Sequence, residues 1–186
     1  MVSIGSLWLP ILASAVLVFL VSWFVHMFLP FHKNDFRQAP GEGALLDAFR
    51  KADVPPGDYM LPHAGSMDAM KDPAYVASME RGPVVVMSVA KGAKPSMGGS
   101  LGAWFLYSLI VSVIAAYVTG HAVPEGAPYR SVMRFAGCVS FVGYSLALMQ
   151  NSIWYKRAWR VTALYMADGL LYGLVTGGAF GWLWPR

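Results

Sequence analysis

Charge is what this chain has least of. Only 13% of its 186 residues are Asp, Glu, Lys or Arg, about half the share of an ordinary soluble domain. By contrast 56% are hydrophobic and the mean hydropathy is +0.49. That balance excludes a conventional soluble domain and indicates a membrane protein. There is one cysteine, Cys138, which rules out an intrachain disulfide and, lying in an apolar run, reads as a small buried hydrophobe. Catalytic signatures are missing too. The chain contains no Walker A sequence, no G-x-G-x-x-G after a strand, no H-E-x-x-H, no C-x-x-C and no nucleophile elbow. No enzymatic activity and no cofactor are therefore expected. Nor is there a nucleic-acid module: the 14 Lys and Arg are spread along the chain, and the pI near 9.3 reflects membrane topology rather than a nucleic-acid partner.

What is present is a set of long apolar runs. Four are long enough to cross a hydrocarbon core, which takes about 20 apolar residues: 7–29, 101–122, 131–153 and 161–184. No charge precedes Lys33 and the first run continues well past Ala15, so it reads as a span rather than a secretory signal. Basic residues then orient the chain. Residues 30–100 hold eight, and the third connection adds Lys156, Arg157 and Arg160, whereas the other side has Arg130, Arg134 and Arg186. By the positive-inside rule both termini face out and the long loop is cytoplasmic, as in a bacterial inner-membrane protein. The expected fold is an all-α membrane protein of four transmembrane helices, with a small α/β cytoplasmic cap between the first and second.

The cap, residues 30–100, carries eight basic and eight acidic side chains, so it is no polybasic lipid-binding tail. A helix is expected over 42–52, with Leu45, Leu46 and Phe49 on one face. "VPPGDY" forces a turn, and a second helix starts with Asp72 as N-cap and Pro73 at the first position. "PVVVMSVA", 83–90, reads as a strand that must pair with something nearby, such as "DYML", 58–61, or lie against the bundle or a partner protein. "KPSMGG", 94–99, leads into the second span with Ser96 or Ser100 as N-cap.

Four histidines invite a metal reading. His121 leaves the second span on the outer side and cannot join the others. His26 and His32 flank Pro30 at a spacing of six, which does not put two ligands on one helical face. His63, Met67 and Met70 are weak Cu(I) candidates; six methionines in the loop (60, 67, 70, 79, 87, 97) read more simply as adaptable packing surface.

The membrane interior is more informative. Asp168 is the only acidic residue within a span, and an intramembrane carboxylate is costly and faces the bundle interior. A depth count at 1.5 Å per residue puts it about 6 Å to the cytoplasmic side of the midplane. Residues at matching depth on the other spans are Ser22 and His26, Ser108, and Gln150 with Asn151, the expected polar cluster. Arg134 lies near the outer surface. Asp168 opens the stretch "DGLLYGLVTGGAFGW", in which Gly169, Gly173, Gly177 and Gly181 recur every fourth residue as a close-packing face. Small residues also line the second span (Ser108, Ser112, Ala116) and the third (Gly137, Ser140, Tyr144, Ala147).

These features support a non-catalytic accessory, scaffolding or assembly subunit of a larger membrane complex. Its partners would be membrane lipid and other membrane subunits, or a second copy through the fourth helix. The alternatives are a small proton-coupled carrier or permease using Asp168, and a copper-handling membrane protein.

Overall fold

The computed structural model describes residues 1–92, 94 and 96–186. It is mostly helical, with one small sheet. The chain divides into two compact units, Met1–Phe36 with Ser96–Arg186, and Arg37–Pro95.

The first unit is a helical bundle. A 3-10 turn, Ile4–Leu7, is capped by the Ser3 hydroxyl, which accepts from the Ser6 N–H at 3.3 Å. It leads into α1, Trp8–Phe28, with Pro10 in the first turn, where its missing N–H costs nothing. The helix stops because Pro30 holds Leu29 in an extended conformation (φ −90°, ψ 142°). A second 3-10 turn, Pro30–His32, then folds the chain back. The later helices of this unit are α4, Gly98–Ala122; α5, Tyr129–Ser145; the short α6, Met149–Ile153; and α7, Trp159–Leu183. Helix α1 packs on α4, α4 on α5, α5 on α7 and α7 on α1, so the four long helices close into a ring.

Three helical stretches of 25 residues, Ile4–Phe28, Gly98–Ala122 and Tyr129–Ile153, are long and apolar enough to cross a membrane. Helix α7 matches them in length but not in apolar character, because Asp168 and five glycines dilute it. The third stretch is not one continuous helix, contrary to expectation. It breaks at Ser145, a 3-10 turn spans Leu146–Leu148, and α6 follows. There is no proline here; the break coincides with Ser145 Oγ donating to the Met166 carbonyl of α7 at 3.3 Å.

The core forms two layers. One joins Val2, Leu7, Ile11, Ala116, Val132, Ala136, Phe180 and Trp184 at the end that holds both termini. There the Val2 N–H bonds the Gly120 carbonyl at 2.8 Å, and Trp184 Nε1 donates to the Pro124 carbonyl at 2.9 Å. The other joins Val18, Val111, Tyr144 and Tyr172. Between α1 and α4, Ser14 Oγ donates to Ser112 Oγ at 2.9 Å and Trp104 Nε1 to Ser22 Oγ at 2.8 Å; such interhelical bonds replace the missing hydrophobic drive between helices in lipid. Cys138 is exposed on α5 rather than buried, and Arg134 is exposed as well.

The glycine stripe of α7 faces α5 within the same chain. A methyl added at Gly173 would lie 2.9 Å from the Gly137 carbonyl oxygen, at Gly177 2.6 Å from that of Met133, and at Gly181 2.7 Å from the Tyr129 ring. Gly169 meets Tyr144 and Ser145. All four glycines thus serve one intramolecular seam.

The second unit holds α2, Glu42–Lys51; β1, Gly57–Leu61; α3, Pro73–Arg81; and β2, Val85–Val89. The two strands pair antiparallel with Tyr59 opposite Met87, which supplies the partner that "PVVVMSVA" requires. Asp72 caps α3 through the Ala74 N–H at 2.7 Å. Pro95, inside the expected lead-in 94–99, and Ala93 lie outside the described residues. Helix α4 starts three residues earlier than expected, and neither Ser96 nor Ser100 is its N-cap. Met97 occupies that position without a side-chain bond.

Candidate functional site: a histidine–carboxylate cluster

The end of the bundle opposite the termini gathers the titratable side chains. The last turn of α1 carries His26. The reversal at Pro30 then brings His32 alongside it, with the two imidazoles stacked at 4.4 Å between centroids and 9° between planes. Helix α7 supplies Tyr165, whose ring meets both imidazoles edge-on at 6.1 and 5.0 Å. One turn further along the same face comes Asp168.

Each imidazole is held by its Nδ1. In His26 that nitrogen donates to the Ser22 carbonyl at 3.0 Å, and in His32 to Asp35 Oδ2 at 2.7 Å. Because a carbonyl and a carboxylate can only accept, the neutral tautomers carry their proton on Nδ1 and a lone pair on Nε2. Both Nε2 atoms face Asp168 Oδ2, at 2.9 Å from His32 and 4.0 Å from His26. The shorter contact is within ion-pair range, yet it lacks hydrogen-bond alignment, so His32 Nε2 and Asp168 Oδ2 are both buried without a hydrogen-bond partner. Exposure falls inward: the side chain of His26 is 38% exposed, Asp168 12%, His32 9% and Asp35 3%. Arg160 stands 4.0 Å from Asp35 Oδ1, and the Arg157 guanidinium lies 4.7 Å over the Tyr165 ring.

Two nitrogen lone pairs and a carboxylate oxygen converging out of water repel one another. Positive charge among them, on a proton or a bound cation, relieves that repulsion. The centre is a place for a cation, the proton included.

Beside the cluster, a cavity of about 560 Å³ opens between α1 and α4 and reaches α5 and α7. Its wall is aromatic, with Phe19, Trp23, Trp104, Tyr107, Tyr144, Tyr165 and Tyr172, and its polar members include His26, Asp168 and Ser22. The Tyr144 and Tyr172 hydroxyls are buried there without hydrogen-bond partners.

Of the expected polar cluster, His26 meets Asp168 directly and Ser22 contributes through its carbonyl. Ser108 instead donates to the Trp104 carbonyl at 3.0 Å. Gln150 and Asn151 belong to α6, beyond the break in the third stretch, with Gln150 exposed, and neither pairs with Asp168 among the described residues. His32 and Asp35 complete the site and were not expected in it. Their signal was "HMFLPFHKND": the proline that spoils helical spacing is the residue that turns the second histidine back onto the first. In the second unit His63, Met67 and Met70 are all exposed. His121 bonds the Tyr117 carbonyl at 2.7 Å on α4, four residues back along that helix. No protein-family model, curated protein sequence or solved structure matches this chain.

Proposed function

We propose that the chain is a four-span integral membrane protein that works as a small proton-coupled carrier, with Asp168 as its cation-binding carboxylate. The fourth span is α7: it has the length of the other three and packs between α1 and α5, so the ring is incomplete in the membrane without it. Eleven basic residues lie in 30–100 and the connection before α7, which supports placing that side in the cytoplasm and both termini outside, in a bacterial inner membrane.

The observation that carries the reading is Asp168 itself. An intramembrane carboxylate is costly and marks ion or proton pathways as well as structural pairs. This one faces two oriented imidazoles at the edge of a cavity, as in sites that bind and release ions or protons. The glycine face of α7 packs on α5 of the same chain, so it adds no support of its own to the accessory-subunit reading. No catalytic role is assigned.

The test is flux. Proteoliposomes loaded with a pH-sensitive dye are challenged with a panel of divalent metal ions and lipophilic cations. At least one probe is expected to drive a protein-dependent change in lumenal pH, and Asp168→Asn to remove it while leaving elution profile and helicity unchanged. If no probe moves the dye, or the Asn variant matches the wild type, the carrier reading is wrong.

A further inference from the structure

We propose that His26, His32 and Asp168 form a binding site for a divalent first-row metal ion of the zinc type, with Asp35 and the Ser22 carbonyl as the groups that orient its ligands. Binding stands on the geometry of the cluster alone; the ion's role as cargo rests on the carrier reading above.

The ligand atoms already lie close together. One Nε2 from each histidine and one carboxylate oxygen lie within 4.8 Å of one another. Around a tetrahedral ion with bonds of about 2.0–2.1 Å, neighbouring ligand atoms are about 3.3 Å apart. The pair from His32 and Asp168, at 2.9 Å, is near that separation; His26, at 4.0 Å from the same oxygen, has to close in. Binding therefore requires His26, the most exposed of the three, to leave its stack on His32.

Three further observations separate this from an ordinary buried ion pair. First, His32 Nε2 and Asp168 Oδ2 touch without hydrogen-bond alignment, and His32 is more than nine-tenths buried. Second, both histidines donate from Nδ1, one to a carboxylate and one to a backbone carbonyl, the outer-shell arrangement that sets the tautomer of metal-bound histidines. Third, a proton at Nε2 of His32 would serve one pair and leave the His26 lone pair facing a carboxylate. A metal ion engages all three.

The donor set narrows the ion. Two imidazoles disfavour Mg²⁺ and Ca²⁺, which take oxygen ligands. Absence of sulfur from the set disfavours Cu(I), whereas imidazole with carboxylate suits Zn²⁺ and its first-row neighbours. Three protein ligands leave a fourth position for water or an exchanging group.

The test uses the full chain in lipid nanodiscs after a chelator wash, titrated with Zn²⁺ by calorimetry. One ion per chain is expected. Replacing a ligand, as in His32→Ala, Asp168→Asn or His26→Ala, should weaken binding by more than the roughly 10–100-fold that loss of an outer-shell partner costs, while His63→Ala leaves it unchanged. If the two buried variants fail to fold, His26→Ala, at the most exposed of the three positions, still decides. The wild type alone provides a second readout, because bound Co²⁺ should give visible absorption that Zn²⁺ displaces. No stoichiometric Zn²⁺ in the wild type, or affinity that survives His26→Ala, would overturn the site. Zn²⁺ binding without flux removes the carrier reading and keeps the site; flux of a lipophilic cation without Zn²⁺ binding does the reverse.

Discussion

Replacing Gly177 with alanine adds one methyl group, and the seam between α5 and α7 determines what that costs. The new carbon would stand 2.6 Å from the Met133 carbonyl oxygen and 3.0 and 3.1 Å from two backbone atoms of Gly137. Ordinary contact begins at 3.4 Å, so the helices must part by about 0.8 Å (3.4 − 2.6). None of the three atoms is the movable end of a side chain. A gap of 0.5–1 Å forfeits roughly a quarter to a half of each dispersion contact along the interface, and overpacking of this kind costs about 1–3 kcal/mol. Alanine recovers about 0.5–1 kcal/mol through its better helix propensity. The net expectation is a loss of up to about 2.5 kcal/mol. Gly178→Ala, one residue along, is the control: its methyl would meet only the Tyr129 hydroxyl at 3.6 Å, so the propensity gain stands unopposed. Denaturant unfolding of both variants in detergent micelles, followed by circular dichroism, measures the difference. If Gly177→Ala equals or exceeds Gly178→Ala in stability, α5 does not lie in the α7 seam as described.

Asp35→Asn should keep the fold yet weaken Zn²⁺ binding by roughly 10–100-fold, because Asp35 bonds the far nitrogen of His32 and is not itself a ligand; calorimetry on the purified variant reads it. Ser112→Ala removes the acceptor of the Ser14 hydroxyl and should cost about 0.6 kcal/mol, the average for a hydrogen bond between membrane helices, in the same unfolding assay. Trp184→Phe deletes the bond to the Pro124 carbonyl and should lower stability by about 0.5–1.5 kcal/mol. In a Cys138→Ser background, single cysteines at Ser3 and Glu125 should react with an impermeant maleimide applied outside, and cysteines at Gly65 and Lys156 only after lysis. Equal labelling of all four would contradict the four-span topology.

The helices were legible because their signals are long and local: apolar runs near the length of a bilayer, and a proline after α1. The same holds for the Asp72 cap and the strand at 83–90, whose partner at 58–61 was the nearest extended stretch. The depth count on α7 brought Asp168 to the level of His26 and Ser22. It failed for Gln150 and Asn151, since a count at constant rise assumes an unbroken helix and the third stretch breaks at Ser145. His32 was discarded by a rule about helical faces that does not apply across a proline turn. A 3-10 reversal at 30–32 brings residues six apart into stacking contact, a relation that helical periodicity cannot express. Cys138 was misread for a different reason: in a bundle of spanning helices the outer face is as apolar as the core, so an apolar neighbourhood does not imply burial.

The central claim is that two histidines and one carboxylate converge on a single ion. X-ray absorption at the zinc edge, on the wild-type chain loaded with one equivalent of Zn²⁺, addresses it most directly. A site made by His26, His32 and Asp168 gives two imidazole nitrogens at about 2.0–2.1 Å with the remaining shell oxygen, and the imidazole signal falls to one ring in His26→Ala. A shell of oxygen alone, or one containing sulfur, would contradict it.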